Sequence, residues 1–224
     1  MHNPLKYRLL NQTFWLSPDR CIYWDEKKAL VVSDLHFGKT GHFRKSGIPV
    51  PPKVYKEDLQ RLWQQIQFFK PEELIVVGDL FHSQENKELE LFLKWRNDFP
   101  SLRIKLVKGN HDILNMNWYV QAGIEVYDEC LTLEQFTFIH DITACEVSNS
   151  YYFTGHIHPG IIISGMGKQS LSFPCFYFGK NYAVLPAFSR FTGLAMIRPE
   201  KNEDVFAIIP SNPIKGERGS LVKI

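Results

Sequence analysis

The sequence has only four cysteines among its 224 residues, and they lie far apart. Cys21, Cys130, Cys145 and Cys175 form no CxxC pair. The count would allow a disulfide, but a cytoplasmic chain of this size does not need one. We therefore expect reduced thiols with a structural role.

Long apolar runs and a strong excess of one charge are missing as well. No run approaches the roughly 20 apolar residues that span a bilayer. Residues 1–6 lack the charged-then-apolar architecture of a signal peptide. We therefore expect a cytoplasmic protein with no membrane partner. The net charge of +2 is small for a dedicated nucleic-acid binder, so a phosphate-rich partner would need a local basic patch.

The composition is that of an ordinary globular protein, with 44% hydrophobic and 22% charged residues. A chain of this length can bury one sizeable core but is too short for two full domains. We therefore expect a single domain over residues 1–224.

Apolar runs typical of buried strands alternate with amphipathic segments in the first half of the chain. The runs are 29–32, 74–77 and 104–107. Helices are predicted over 53–69 and around 86–97, the first from the helical spacing of Leu59, Leu62, Trp63 and Ile66. This β-α-β-α-β order predicts an α/β fold with a parallel sheet. From Pro159 onward, β-branched and aromatic residues predict a mainly β half and thus a two-sheet sandwich.

Polar residues of metal-binding types follow five of the predicted strands. The motifs are D-L-H at 34–36, G-D-L-F-H at 78–82, G-N-H-D at 109–112, His140, and G-H-I-H at 155–158. Carboxylates, imidazoles and an amide suit Mn, Fe or Zn better than Ca or Mg, which prefer oxygen alone. These candidate ligands are too many for one ion. Two metals about 3.5–4 Å apart, bridged by a carboxylate, explain them better.

Each motif taken alone has a simpler interpretation. An Asp after a strand is often a turn former or a helix N-cap rather than a ligand. Five such motifs in a fixed order, each at a strand end, are hard to obtain by accident. The joint pattern therefore predicts a metal site.

This ordered set resembles the calcineurin-like metallophosphoesterase superfamily, whose pattern is DxH, GDxxD/N, GNHD/E, H and GHxH. The resemblance implies a four-layer α/β/β/α sandwich with two divalent metal ions at the sheet edges, Mn before Fe or Zn. It implies that one ion is held by Asp34, His36, Asp79 and His158. It implies that the other is held by Asp79 (as the bridge), Asn110, His140 and His156.

The same resemblance implies a role for the G-N-H-D motif in proton transfer. His111, with Asp112 behind it, would be the proton donor to the leaving group or a clamp on the phosphoryl oxygens. One residue departs from the superfamily pattern: His82 stands where Asp or Asn is usual, and its role stays open.

Three longer segments, 34–51, 78–83 and 185–193, resemble the bacterial ligase-associated DNA damage response endonuclease subfamily. This resemblance implies a phosphodiester substrate, single-stranded DNA, and partners among a DNA ligase, a helicase and an exonuclease. The first segment would bring phosphate contacts from Lys39, His42, Arg44 and Lys45, although such a charge run is often only a solvated loop. In the third segment Phe188, Arg190 and Phe191 could stack on bases, but aromatic residues at this spacing are more often core.

The expected function is that of a dinuclear metal-dependent phosphodiesterase, a DNA endonuclease associated with repair. The alternative is a phosphatase or cyclic-nucleotide phosphodiesterase that acts on a small phosphorylated molecule, which the modest net charge favours. A scaffold that has lost its chemistry should show broken ligand positions, and here every position holds a competent residue.

Overall fold

Two β-sheets make up most of the fold. The computed structural model describes residues 3–39, 53–82, 87–144, 150–165, 169–211 and 219–224. The first sheet has seven strands, which neighbour one another in chain order. They are β1 (Leu5–Leu9), β2 (Gln12–Ser17), β3 (Cys21–Trp24), β4 (Ala29–Val32), β5 (Glu73–Val77), β6 (Arg103–Val107) and β7 (Ile124–Tyr127).

The second sheet has nine strands in a more complex order. They are β8 (Cys130–Leu133), β9 (Phe136–Ile139), β10 (Tyr151–Thr154), β11 (Pro159–Ser164), β12 (Ser170–Phe178), β13 (Tyr182–Val184), β14 (Ala195–Met196), β15 (Asp204–Ile209) and β16 (Ser220–Lys223). The main path runs β14-β11-β12-β13-β10-β9-β8, while β15 pairs with β12 and with β16. The predicted β half and two-sheet sandwich are thus confirmed.

The parallel strands lie where the sequence predicts them. β4, β5, β6 and β7 pair in parallel, while β1 to β4 pair antiparallel as hairpins. Val32 is opposite Val76, and Val77 is opposite Val107, so these strands end at the same edge of the sheet. The polar motifs that follow them are therefore brought together.

Within the described residues, three α-helices cover the outer face of the first sheet: α1 (Lys53–Phe69), α2 (Lys87–Asn97) and α3 (Met116–Gln121). Leu59, Leu62 and Ile66 of α1 are buried against the strands, as their spacing predicts. The expectation for Trp63 was wrong, because its side chain is 42% exposed. No helix within the described ranges is long and apolar enough to cross a membrane.

A core rich in phenylalanine fills the space between the two sheets. Phe14 and Trp24 of the first sheet contact Phe136 of the second, with ring centroids 5.3 and 5.2 Å from it. Phe138 and Phe153 of the second sheet stack with their ring centroids 5.4 Å apart. All five rings are fully buried, so this layer holds the two sheets face to face.

The outer face of the second sheet carries a smaller apolar cluster around Cys175, Tyr177 and Val205. Side chains alternate along a strand, so these residues point away from the core between the sheets. The two sheets and their helices confirm the α/β class. Within the described residues, the three α-helices contribute to the cluster on the first sheet and none of them to this one.

The cysteines fit the expectation of reduced structural thiols. Cys21 and Cys175 are buried, and both are present as thiols, as is Cys130. Cys145 lies outside the described residues.

Candidate metal centre

The predicted site forms where β4, β5 and β6 end. Backbone hydrogen bonds continue the pairing beyond the strands: Asp34 N donates to the carbonyl of Gly78 at 3.1 Å, and His36 N donates to that of Asp79 at 2.8 Å. The D-L-H and G-D motifs are therefore fixed side by side at the carboxyl edge of the first sheet, where α/β sheets hold their ligands.

The second sheet adds three histidines to this edge. Its strands β9 and β10 pair in parallel with Thr154 opposite Ile139, so His140 and the G-H-I-H motif emerge next to each other. Nδ1 of His140 lies 3.2 Å from the carbonyl oxygen of Val77 on the first sheet. The site is thus built from both sheets.

One group of candidate ligands comprises Asp34, His36 and His158. Nε2 of His158 lies 3.2 Å from Oδ1 of Asp34 and 3.4 Å from Nε2 of His36. Nε2 of His36 lies 3.9 Å from Oδ1 of Asp34. Such separations let one ion touch all three atoms at ordinary bond lengths of about 2.0–2.2 Å.

The second group centres on His140, whose Nε2 atom meets three other candidates. It lies 3.5 Å from Oδ2 of Asp79, 3.3 Å from Oδ1 of Asn110 and 3.2 Å from Nδ1 of His156. Asp34, Asp79 and His140 also form a second triplet that could hold an ion. The structure therefore brings all seven predicted ligands together.

The position of Asp79 supports its predicted role as a bridge. Its Oδ2 atom lies 3.8 Å from Nε2 of His36, in the first group, and 3.5 Å from Nε2 of His140, in the second. Its Oδ1 atom accepts a hydrogen bond from the backbone N–H of His111 at 3.0 Å. One carboxylate oxygen thus faces both groups, while the other holds the G-N-H-D turn.

Burial and neighbouring charges shift the pKa values of His36, Asp79 and His140. Burial lowers the pKa of His36 to about 3 against the opposing charges of Asp34 and Asp79. Burial also opposes ionisation of Asp79, but the contact with His140 and its charge lower the pKa of Asp79 to about 2. The same contact, together with Asp34, outweighs burial of His140 and raises its pKa to about 9. Without a metal ion, these shifts favour a charged Asp79 beside a protonated His140.

The donor set fits divalent cations. Oδ1 of Asp34 is fully buried and has no hydrogen-bond partner among the described residues, which is costly unless a cation satisfies it. The ligands are carboxylate, imidazole and amide groups, a mixture typical of Mn, Fe or Zn. Asp34, His36, Asp79 and His140 form a buried floor, whereas Asn110 and His156 are exposed at the rim. A cleft of about 420 Å³ opens beside Asn110, His140 and His156.

Comparison with known families is decisive for the class of protein. The profile of the calcineurin-like phosphoesterases matches residues 27–211, which is well over half of the chain. The chain belongs to the calcineurin-like phosphoesterase family. It is therefore a metal-dependent phosphoester hydrolase, and its family implies divalent metal ions.

Among solved structures, this phosphoesterase is similar to the nuclease MPE of Pseudomonas putida. The two are 28% identical, the alignment covers 92% of this chain and 96% of the other, and the TM-score is 0.79. Protein AQ665 of Aquifex aeolicus, of unknown function, is 17% identical over 58% of this chain and 78% of its own, with a TM-score of 0.41. The phosphoesterase Yfce of E. coli is 12% identical over 80% of this chain and 86% of its own, also with a TM-score of 0.41. No curated protein matches the chain.

Beside the candidate metal ligands of this phosphoesterase lies the imidazole of His111. Its ring centroid is 4.3 Å from that of His82 and 5.5 Å from that of His36. The residue is half-buried. His82 therefore lies against the predicted proton donor, at the position where the sequence departs from the superfamily pattern.

Asp112 has different contacts from those expected. Its Oδ1 atom accepts a hydrogen bond from the N–H of Phe81 at 3.0 Å, and Oδ2 accepts one from the N–H of Gly109 at 2.9 Å. Burial raises its pKa to about 7 in spite of these two bonds. Among the described contacts of Asp112 there is none to the ring of His111. The two hydrogen bonds favour a role for Asp112 in joining the G-N-H-D turn to the residues that follow β5.

Of the predicted phosphate-binding residues, only Lys39 falls within the described part of the chain. Its side chain is half-buried, and burial lowers the pKa of its amine while the charges of Asp79 and Asp34 oppose the shift. Lys39 is thus close enough to the carboxylates to interact with them. His42, Arg44 and Lys45 lie outside the described residues.

The sequence analysis missed one polar residue of the site. Oγ of Ser33 lies 2.5 Å from Oδ2 of Asp34 and 2.7 Å from the carbonyl oxygen of Val77. Oδ2 of Asp34 also accepts the backbone N–H of His156 at 3.1 Å. These contacts fix the carboxylate so that Oδ1 faces the ligand group. The signal in the sequence was a small hydroxyl residue directly before D-L-H.

Proposed function

We propose that this protein is a dinuclear metal-dependent phosphodiesterase that cleaves single-stranded DNA. The observation that carries the proposal is the pair of ligand groups that meet at Asp79, one around His36 and one around His140. The similarity to a nuclease over nearly the whole chain supports nucleic acid as the substrate. Manganese is the metal that we expect in both positions, because the ligands mix nitrogen and oxygen.

In this proposal the seven side chains hold two cations, with Asp79 as the shared ligand. Two cations at this edge would polarise the phosphoryl group and lower the pKa of a water nucleophile. Asn110 and His156 are exposed, so a phosphate can approach the site from the rim. Lys39, with His42, Arg44 and Lys45 of the same segment, would bind the flanking phosphates.

His111 supplies the proton in the proposed reaction. Its backbone N–H is held by Oδ1 of Asp79, and the adjacent Asn110 is assigned to a cation, so the ring itself stays available for acid chemistry. The ring would donate a proton to the leaving oxygen or hold the phosphoryl oxygens. The packing of His82 against His111 limits the positions that the ring can take.

A second candidate function is hydrolysis of a small phosphorylated molecule, a monoester or a cyclic nucleotide. The net charge of +2 favours it, since a long polyanion is usually met by a stronger basic surplus. The same ligands can serve either substrate, because specificity lies in the surrounding loops.

The experiment that tests the proposal compares substrates in the presence of Mn²⁺. Hydrolysis of bis(p-nitrophenyl) phosphate, a diester, is measured beside p-nitrophenyl phosphate, a monoester, and end-labelled single-stranded DNA. Asp79→Ala is the inactive variant, and Asp98→Ala, at an exposed aspartate at the end of α2, is its matched control.

We expect cleavage of the diester and of DNA that is lost in Asp79→Ala and kept in Asp98→Ala. Turnover of the monoester alone would contradict the nuclease and support the second candidate. No hydrolysis with any divalent metal would contradict both.

The proposal extends to the setting of the reaction. We place the protein in the cytoplasm as a single domain that acts in DNA repair, beside a DNA ligase, a helicase or an exonuclease. Co-purification of a tagged copy with a ligase after DNA damage would support this placement, and its absence would leave the nuclease without the proposed partners.

A further inference from the structure

Two arginines hold three consecutive peptide carbonyls far from them in the sequence. Nη1 of Arg20 donates to the carbonyl of Ala187 at 3.1 Å and to that of Ser189 at 2.7 Å. Nη2 of Arg61 donates to the carbonyl of Phe188, which lies between them. We call these two residues the arginine clamp.

The side chain of Arg61 is also held by contacts other than the one to the carbonyl of Phe188. It lies on α1 with its side chain buried, and its Nη2 atom is 2.9 Å from Oδ1 of Asp58, one turn earlier. Its guanidinium also lies over the ring of Phe188, 4.2 Å from the ring centroid. Phe188 is completely buried, so it serves as a platform for Arg61 and is not available for stacking on a base.

The backbone N–H groups of the same segment bond to the turn that carries Asp34. The N–H of Phe188 donates to the carbonyl of Ser33 at 2.7 Å, and the N–H of Ser189 donates to that of Asp34 at 3.1 Å. The peptide groups of residues 187–189 thus connect the clamp to the turn that carries Asp34. A third bond, from Leu185 N to the carbonyl of Thr154 at 2.8 Å, anchors the segment just before the G-H-I-H motif.

Asp34 needs this support because its backbone is left-handed, with a φ of 53°. A non-glycine residue in this region persists only when its surroundings over-determine it. The N–H of Asp34 is held by Gly78 on one side, and its carbonyl is held by Ser189 on the other. Without the second bond the peptide after Asp34 could rotate, and the carboxylate would move with it.

We propose that Arg20 and Arg61 are positioning residues for the metal centre, which act on Asp34 through residues 187–189. This inference rests on the proposed role of Asp34 as a ligand. Groups that orient ligands typically change metal affinity about 10–100-fold when they are removed. The clamp touches neither a ligand side chain nor the open rim, so its effect should appear in metal binding first.

The test is calorimetric titration of the metal-free protein with Mn²⁺. Arg20→Gln removes one half of the clamp, and Arg8→Gln, at an exposed arginine on β1, is the matched control. Arg61→Lys keeps a charge beside Asp58 but loses the planar guanidinium whose Nη2 atom meets both the carboxylate of Asp58 and the carbonyl of Phe188. Thermal unfolding of each variant with and without Mn²⁺ separates metal binding from general stability.

We expect at least one Mn²⁺ to bind about tenfold more weakly to Arg20→Gln and to Arg61→Lys, and unchanged binding to Arg8→Gln. The thermal shift that Mn²⁺ produces should shrink in both clamp variants. Arg20→Lys, which can still reach one carbonyl, should recover part of the affinity and serves if Arg20→Gln does not fold.

Unchanged Mn²⁺ affinity in the clamp variants, with or without a lower unfolding temperature, would overturn the positioning role. A wild-type protein that binds no Mn²⁺ would instead overturn the proposed function and this inference with it. The two failures are therefore distinguishable.

Discussion

Five of the proposed ligands have left-handed backbone angles, which are unusual for residues other than glycine. Their φ values lie between 50° and 67°, and the residues are Asp34, His36, Asp79, His156 and His158. Each such residue costs of order 1–3 kcal/mol, which the surrounding contacts must outweigh. The conformation turns the chain sharply at the strand end, so successive polar side chains face one centre. Among the described residues, five of the twelve non-glycine residues with positive φ are thus proposed ligands.

Removal of the Asp79 carboxylate should empty both metal positions. Asp79→Ala takes away the oxygen that lies between His36 and His140, and it leaves each group one ligand short. Elemental analysis should find far less than one equivalent of metal, against two for the wild type and for Asp98→Ala. Two full equivalents in Asp79→Ala would refute the bridging role.

Removal of the His111 ring should leave the metals in place but slow the reaction. The ring lies beside those of His82 and His36 and is not assigned to an ion. A lost general acid typically lowers the rate about 10²–10⁴-fold. We expect His111→Ala to keep two equivalents of Mn²⁺ with kcat reduced in this range. Wild-type turnover by the variant would exclude His111 from the mechanism.

Metal binding should release a proton from His140. In the metal-free protein the contacts with Asp79 and Asp34 raise the pKa of His140 to about 9, so its ring is protonated at pH 7. A ligating imidazole must be neutral, so a cation competes with this proton. Mn²⁺ affinity should therefore rise with pH up to about 9 and then level off. Titration in buffers of different ionisation enthalpy measures the protons released, and a value of zero would contradict the assignment.

At the scale of the elements, two glycines let the strand ends approach each other. A Cβ atom on Gly78 would lie 2.0 Å from Nδ1 of His140, and one on Gly109 would lie 2.2 Å from Oδ1 of Asp79. Such separations are far below any van der Waals contact. The second sheet can therefore approach the first at residue 78 only because that residue is glycine, and Gly109 lets the ends of β5 and β6 approach each other within the first sheet.

Gly78→Ala should consequently displace His140 and weaken the second metal position. Gly78 also has a φ of +77°, which alanine adopts only with strain. We expect a lower unfolding temperature and loss of about one equivalent of Mn²⁺ by elemental analysis. Gly193→Ala is the matched control, because no described heavy atom lies within 4 Å of its added Cβ. Two equivalents in Gly78→Ala would show that the sheets can part without loss of the site.

The sequence predicted β4, α1 and the candidate ligands that the structure brings together, but not the contacts that support them. Strand β4 is a continuous apolar run and helix α1 carries a periodic apolar pattern, and burial imposes both patterns locally, so both elements were predicted with the observed bounds. The clamp joins Arg61 to Phe188, which are 127 positions apart, and no local pattern records such a contact. Trp63 was assigned to a buried face because periodicity gives the direction of a side chain but not where the neighbouring elements end.

At the scale of the whole molecule, the site depends on two sheets that each supply part of it. The first sheet carries Asp34, Asp79 and Asn110, and the second carries His140 and the G-H-I-H motif. The aromatic layer between the sheets sets their separation, so it also sets the distance between the two parts. Stability and metal binding are therefore connected through this core, but not at every position in it.

Phe136→Ala should lower the stability of the protein without weakening metal binding. The ring is completely buried and contacts Phe14 and Trp24 across the core, so its loss should lower the free energy of unfolding by about 3–5 kcal/mol. Residue 136 begins β9, whereas His140 follows its other end, roughly 13 Å along the strand. We expect urea unfolding to show the loss while the folded variant binds Mn²⁺ with wild-type affinity.

The control is Leu171→Ala, at a side chain that is 65% exposed, which should change the free energy of unfolding by less than about 0.5 kcal/mol. A weaker Mn²⁺ affinity in folded Phe136→Ala would mean that the whole aromatic layer, and not only its edge, holds the metal ligands in place.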